Sequence, residues 1–372
     1  MAYKFKYIME SAPGTETKIN GKKYLYFAGT GYFQLNSNQE LIKAASDATK
    51  RYGIGSATSR AITGTTPLLL EIEKKIAAYF GTEDAAYLPS GYLSNIAGLS
   101  ALNEMNTFDV IFIDEGSHYC NIEGAEVIGK SLIKFENRNP DDLKLKLAKT
   151  LKGGKRPLIV SDGLFPVWAK LAPLERYLEF AEEYNGVVWT DDAHGVGILG
   201  NQGRGSYEHL GLKSERLFMG ATLSKAFGAY GGIIPGSADF IRQIKRGSVI
   251  TGSSSPMNAA VAAGIKGLEL VGANPVYREK LWENAHYLKN GITSLGIETD
   301  DNCLPIVAFV SGDSFNMKKI HNALMAEGIY IQYASYRGSG SSGVLRIVVF
   351  STHTKAQIDF LIDKLRGIIK TG

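Results

Sequence analysis

The chain has 372 residues, 44% apolar and 21% charged, a balance that excludes a disordered chain and leaves room for a large domain and a smaller one. Its net charge is +4, with Lys and Arg dispersed along the length, which argues against nucleic acid and suits small anionic molecules. The opening segment Met1–Ser11 carries charge inside its only apolar stretch, and no later apolar run is long enough to cross a bilayer, so neither a signal peptide nor a membrane span is expected.

Helical periodicity begins at Glu40–Tyr52 and returns at Leu68–Phe80. The small polar turn Pro89-Ser90-Gly91-Tyr92 precedes another helical stretch. Val110–Ile113 reads as a buried strand that runs into Asp114-Glu115-Gly116-Ser117-His118. Pro157–Ser161 is a second strand, followed by a helix at Leu174–Tyr184. Val187–Asp191 is a third, opening into Asp191-Asp192-Ala193-His194. Leu217–Gly220 is a fourth, followed by Ala221-Thr222-Leu223-Ser224-Lys225-Ala226-Phe227-Gly228. This alternation predicts an α/β fold whose large domain holds a mostly parallel sheet covered by helices on both faces. Later come helices at Asn258–Val271, Pro275–Leu295, Asn316–Glu327 and Lys355–Ile369, with strands at Ile306–Val310, Ile329–Gln332 and Leu345–Phe350. They predict a smaller α+β C-terminal domain. The expected division is an N-terminal segment over residues 1–45, a large domain over 46–270 and a small one over 271–372.

Ligands of open parallel sheets sit beyond the carboxyl ends of the strands. Here those ends gather a carboxylate, two imidazoles, a lysine and a phosphate-suited turn. Each has a bland reading: Asp191-Asp192 can cap a turn, His118 can be a satisfied loop residue, and a lone Lys is usually solvated. As a set they match pyridoxal 5′-phosphate (PLP). An aldehyde cofactor needs an amine, and only Lys forms a Schiff base, which selects Lys225. A protonated pyridine nitrogen needs a buried carboxylate, for which Asp191 is the candidate. His118 is a flat partner for the ring, while Ser90-Gly91-Tyr92 and Thr222 offer amides and hydroxyls to the phosphate. A competing motif, Gly195-Val196-Gly197-Ile198-Leu199-Gly200, fits a dinucleotide turn in spelling only. It does not directly follow its strand, and Asn201–Gly205 replaces the helix such a turn requires. Cys120 and Cys303 are far apart, and the six histidines show no HxxxH or HxH pairing, so no metal is expected. Reduced thiols in a cytoplasmic protein are the simple reading of the cysteines.

From about Tyr24 to the C-terminus the chain resembles the α-oxoamine synthases, among the fold-type-I PLP enzymes. The motifs that carry the resemblance are Tyr52-Gly53-Ile54-Gly55, Ser59–Thr65 (SRAITGT), Ser90–Asn95 (SGYLSN), Asp162-Gly163-Leu164-Phe165, Asp191-Asp192-Ala193-His194, Thr222–Gly228 (TLSKAFG), and Leu345-Arg346-Ile347 with His353-Thr354. The resemblance implies a decarboxylating Claisen condensation of a small amino acid with an acyl-CoA, of the 8-amino-7-oxononanoate synthase type. It implies that Lys225 forms the Schiff base and moves the substrate Cα proton, and that Asp191 pairs with the ring nitrogen. His194 would bond the phenolic oxygen, and His118 would stack on the ring and serve as an acid. Ser90, Gly91, Tyr92, Asp162, Thr222 and Ser224 would join the cofactor site, and Arg346 would hold the amino-acid carboxylate. A homodimer with shared active sites is also implied, a hydroxyl of the neighbouring subunit, Thr251 or Ser253, completing the phosphate site.

The chain departs from the family at Leu69, where a histidine is usual, at Pro166 in place of a serine, and at Val344 in place of an arginine. The segment Tyr336–Gly343 replaces a Pro-rich loop, and its glycines suggest a lid over the substrate from Arg337 to Gly343. These changes leave open an aminotransferase or lyase on the same fold. A non-catalytic homologue is disfavoured by the presence of Lys225.

Overall fold

The computed structural model describes residues 6–300, 302–335 and 339–370. Tyr336, Arg337 and Gly338, where the expected lid begins, lie outside the described residues. In chain order the strands are β1 (Glu16–Ile19), β2 (Lys22–Phe27), β3 (Asp84–Leu88), β4 (Val110–Asp114), β5 (Leu132–Phe135), β6 (Pro157–Asp162), β7 (Leu164–Phe165), β8 (Lys170–Leu171), β9 (Val187–Asp191), β10 (Leu217–Thr222), β11 (Gly232–Gly236), β12 (Ile306–Phe309), β13 (Ile329–Ala334) and β14 (Val344–Val348). The chain divides into two compact units.

The larger unit comprises Gln39–Phe165 and Leu171–Asn274. Its seven-stranded sheet has the order β3-β11-β10-β9-β6-β4-β5. The pairs from β10 to β5 are all parallel, and β11 runs antiparallel to both of its neighbours. Every residue of β4, β6 and β9 is buried, as a sheet covered on both faces requires. Alternate side chains serve two separate cores. Ile111, Ile113, Leu158, Val160 and Trp189 pack with Leu99 and Phe240. Val110, Phe112, Ile159 and Val188 pack with Leu143, Leu147 and Tyr177.

The helix Gly91–Glu104 lies close against the first of these faces, and glycine is the reason. A Cβ on Gly98 would fall 1.9 Å from Cη2 of the fully buried Trp189. The indole in turn donates its Nε1–H to Asn95 Oδ1 at 3.0 Å. A mid-helix glycine costs about 1 kcal/mol against alanine. Here it lets the helix approach the carboxyl ends of β9 and β10.

The smaller unit comprises Met1–Asn38, Pro166–Lys170 and Pro275–Gly372. Its five strands have the order β1-β2-β13-β14-β12, with β2 and β13 parallel and the other pairs antiparallel. Asn20 and Gly21, both at positive φ (49° and 78°), turn β1 into β2. The helices Val276–Thr293, Ser314–Ala326 and Lys355–Lys370 share one core with the sheet through Leu288, Leu324, Leu361, Ile329 and Ile347. Val344 packs instead with Val167 and Ala334.

Candidate active site

Four groups of site residues meet where β4, β6, β9 and β10 of the larger unit end. Asp191 closes β9 and is 8% exposed. Its Oδ1 accepts the backbone N–H of Ala193 at 3.0 Å. Its Oδ2 accepts from Asn95 Nδ2 at 2.9 Å and lies 3.2 Å from the Cys120 thiol. A buried carboxylate with donors on both oxygens is held in one orientation, which a partner for a ring nitrogen needs.

Asp162, at the end of β6, stands in register with Asp191. Its Oδ1 accepts the backbone N–H of His118 and the amide of Asn121, each at 3.0 Å. Burial, reinforced by the Asp191 charge, pushes the Asp162 carboxyl well above the usual range. Asn121 and Ser117 are fully buried, and Asn121 Oδ1 and Ser117 Oγ find no partner among the described residues.

His118 caps the helix Tyr119–Val127 and keeps an exposed face. Its Nδ1 lies 2.9 Å from Cys120 Sγ, and its ring meets Tyr92 edge-on at 6.2 Å. Desolvation lowers the imidazole pKa, Asp191 opposes this, and the Lys225 ammonium adds to the lowering. Lys225 also lowers the Cys120 thiol, against burial and Asp191, which raise it. The lysine charge is therefore felt at His118 and at the thiol beside Asp191. A ring nitrogen of His118, Sγ of Cys120 and a carboxylate oxygen of Asp191 all lie within 4.8 Å of one another.

The start of the helix Gly91–Glu104 forms the other half of the site. Ser90 is its N-cap, its Oγ accepting the Leu93 N–H at 3.3 Å. A Cβ on Gly91 would lie 2.8 Å from Cβ of Thr222, so only glycine lets the first turn touch the end of β10. There the Thr222 and Ser224 hydroxyls are 2.7 Å apart, and Thr222 Oγ1 also donates to Gly231 O at 2.9 Å. Unpaired first-turn amides, the positive end of a helix dipole and two hydroxyls make a cradle for a phosphate. Together with the buried Asp191, it fits PLP at both ends.

His194 follows Asp191 by three positions and is half-buried. Thr251 and Ser253 donate locally, to Gly247 O at 3.1 Å and Val249 O at 2.7 Å, and no hydrogen bond described joins them to the cradle. Arg346 belongs to the smaller unit, where Nε donates to Pro166 O at 2.8 Å and a terminal nitrogen to Gln332 Oε1 at 3.3 Å. The dinucleotide-like glycines are explained by packing. A Cβ on Gly195 would strike the Asp192 carboxylate, one on Gly197 would strike Ala226, and one on Gly200 would strike the Glu208 carboxylate.

Asn95 stood in the motif Ser90–Asn95 without a role of its own, and Cys120 and Asn121 lay outside the motifs. Asn95 had a signal: it lies four residues after Gly91, on the same helical face. Cys120 lies two residues after His118, but a lone thiol carries no signal of its own.

The profile of the Aminotransferase class I and II family matches residues 29–365. The 8-amino-7-oxononanoate synthase of Thermosipho melanesiensis is 33% identical, over 99% of this chain and 94% of the relative. The serine palmitoyltransferase of Sphingobacterium spiritivorum is 31% identical, over 97% of this chain and 90% of the relative. A solved structure of SPT with its PLP internal aldimine superposes with a TM-score of 0.91 at 25% identity, covering 98% of this chain and 92% of that one. The chain belongs to the class I and II aminotransferase family and, within it, to the α-oxoamine synthases. It is a PLP-dependent acyltransferase with the α/β fold expected from its sequence. No helix among the described residues is long and apolar enough to cross a membrane.

Proposed function

We propose that the chain condenses a small amino acid with an acyl-CoA, releasing CoA and CO₂ and leaving an α-amino ketone, in the manner of 8-amino-7-oxononanoate synthase. The observation that carries the site assignment is the convergence on one sheet edge of the Asp191 carboxylate, the His118 ring and the Gly91 cradle, within the electrostatic reach of Lys225. Likeness over nearly the whole length to an 8-amino-7-oxononanoate synthase supports the reaction.

When bound, PLP supplies an aldehyde carbon for an amine and a ring that spreads the electron pair left at the substrate Cα. Lys225 would hold that carbon, and its amine would be the base that takes a proton from the substrate Cα and the acid that returns it. Asp191, fixed by Asn95 and Cys120, would keep a proton on the ring nitrogen. His118 would be the partner of the ring and present an acid to the acyl carbonyl. His194 would bond the phenolic oxygen. Ser90, Gly91, Tyr92, Thr222 and Ser224 hold the phosphate, and Asp162 positions His118 through its backbone N–H. Arg346 receives the carboxylate of the amino acid, a bidentate task suited to guanidinium.

The proposal includes a homodimer and a cytoplasmic setting. Ile54, Ile62 and Met257 are large apolar side chains exposed by 71%, 75% and 53%. They flank two segments tied together by Ser255 N–H to Thr58 O at 3.0 Å and Ser59 Oγ to Thr251 O at 2.8 Å. A subunit interface here would carry Thr251 and Ser253 into it, as the shared phosphate site requires. The free cysteines accord with a reducing compartment.

The test is release of CoA thiol from a panel of acyl-CoAs mixed with protein, PLP and glycine, alanine or serine. Release that depends on one amino acid and is lost in Lys225→Ala supports the reading. Formation of pyridoxamine phosphate without thiol release would replace it with transamination.

A further inference from the structure

The sequence carries no metal signature, yet folding brings three kinds of metal ligand to one point of the larger unit. Cys120 Sγ lies 2.9 Å from His118 Nδ1 and 3.2 Å from Asp191 Oδ2, to which it donates its hydrogen. A thiolate sulfur, an imidazole nitrogen and a carboxylate oxygen are the donors of a zinc site that keeps one position open. Around a tetrahedral Zn²⁺, bonds of about 2.0–2.3 Å set the donor atoms roughly 3.4–3.6 Å apart. The two neighbours of the sulfur therefore have to open by only about 0.4–0.7 Å. His118 can supply this, because its ring keeps an exposed face. The same face gives a cation its way in and leaves the fourth position to water.

Charge also balances. The cation takes the place of the thiol hydrogen, which leaves as a proton, so Zn²⁺ meets one thiolate, one carboxylate and a neutral imidazole. Their sum is zero, which suits a buried position. Asp162 adds negative potential at the thiol and Glu123 at the imidazole, while the Lys225 ammonium opposes both. The carboxylate is already oriented. It is held by the Ala193 N–H and by the Asn95 amide, which also faces the sulfur at 3.2 Å and Gly91 O at 3.1 Å.

We propose that the PLP-free chain binds one Zn²⁺ through Cys120, His118 and Asp191, and that Zn²⁺ and PLP exclude each other. The exclusion rests on the PLP-site reading, which gives Asp191 to the ring nitrogen and His118 to the ring. Cofactor loading is thereby sensitive to a soft divalent cation, and Mg²⁺, which prefers oxygen ligands, does not substitute.

The experiment titrates PLP-free protein with Co²⁺, whose bond to a thiolate absorbs in the near ultraviolet, and then displaces it with Zn²⁺. One cation per chain with that band is expected, and none with Mg²⁺. Cys120→Ala is expected to lose the band. His118→Gln changes an exposed side chain, leaves the backbone N–H to Asp162 in place, and is expected to weaken binding by about tenfold or more. Cys303→Ala, at the only other cysteine, is expected to keep the band. No band in the wild type overturns the proposal, as does a band lost in Cys303→Ala or an affinity unchanged in His118→Gln. PLP-loaded protein is expected to show no band, and a band at full strength there overturns the exclusion. Failure of the wild type to take up PLP, seen as no visible absorption, would instead overturn the PLP-site reading, on which the exclusion alone rests.

Discussion

Replacing Gly91 with alanine puts a methyl carbon 2.8 Å from Cβ of Thr222 and 3.1 Å from its hydroxyl oxygen. Carbon atoms settle at about 3.5–4.0 Å, so the first helical turn and the end of β10 must separate by roughly 0.7–1.2 Å. A phosphate held by both sides cannot follow both. A donor at about 2.9 Å from an oxygen moves to about 3.6 Å or more, where no hydrogen bond remains. One lost bond to a charged group costs about 1.5–3 kcal/mol, or roughly 10- to 150-fold in PLP affinity. The helix itself does not suffer, because alanine is the better helix former. The expected result is weaker PLP binding by the PLP-free protein, followed by absorbance or fluorescence titration, with little change in thermal midpoint. Gly55→Ala is the control, since nothing lies within 4 Å of a Cβ built there. If Gly91→Ala binds PLP within about twofold of wild type, the close-contact argument for the cradle fails.

Two further substitutions test parts of the larger unit that hold the site in shape. Arg60 grips Glu73 through two nitrogens at 2.7 and 3.0 Å, in a pair only 10% and 4% exposed. Arg60→Met leaves that carboxylate buried, with Lys245 at 3.2 Å as a partial substitute. Urea unfolding should lose about 3 kcal/mol, the low end for a broken buried pair, and no loss would mean Lys245 carries the charge alone. Asp192 is 1% exposed, and burial lifts its carboxyl from 3.8 to about 7, with Ser206 opposing and Asp191 adding to the rise. A pKa raised by folding stabilises fully below the unfolded value, and the benefit is lost as pH rises through the folded value. Wild type should therefore lose up to about 4 kcal/mol between roughly pH 4 and 8 relative to Asp192→Asn. Parallel urea-midpoint curves for the two proteins would refute the assignment.

The parallel core was legible because β4, β6, β9 and β10 are short apolar runs that end in polar residues. Asp191, His118, Thr222 and Lys225 could be found by reading past those ends. Other strands gave weaker signals. β11 contains Pro235 between glycines, a composition that argues against a strand, yet it pairs antiparallel with both β3 and β10. β1 and β2 did carry a signal that went unused, the Asn20-Gly21 pair of a tight hairpin. Their attachment to β13 was not legible, since a parallel partner some three hundred residues away leaves no local pattern. The supports of Asp191 stayed hidden for a related reason. Asn95 and Cys120 reach it from separate helices, and only the folded chain brings an amide and a thiol to one oxygen.

The composition of the smaller unit from three separated segments bears on how the protein is made. The larger unit is complete once the chain has been translated to Asn274. The hairpin of β1 and β2 is made before the larger unit but pairs with β13, which is made after it. An isolated two-stranded hairpin is marginal in water, so these strands must wait with an unpaired edge while the larger unit is made. Assembly of that sheet cannot begin until β13 has been made. Truncation within the helix Lys355–Lys370 removes Leu361 and Leu365 from its core and would leave the opening strands of the chain exposed to association with other copies.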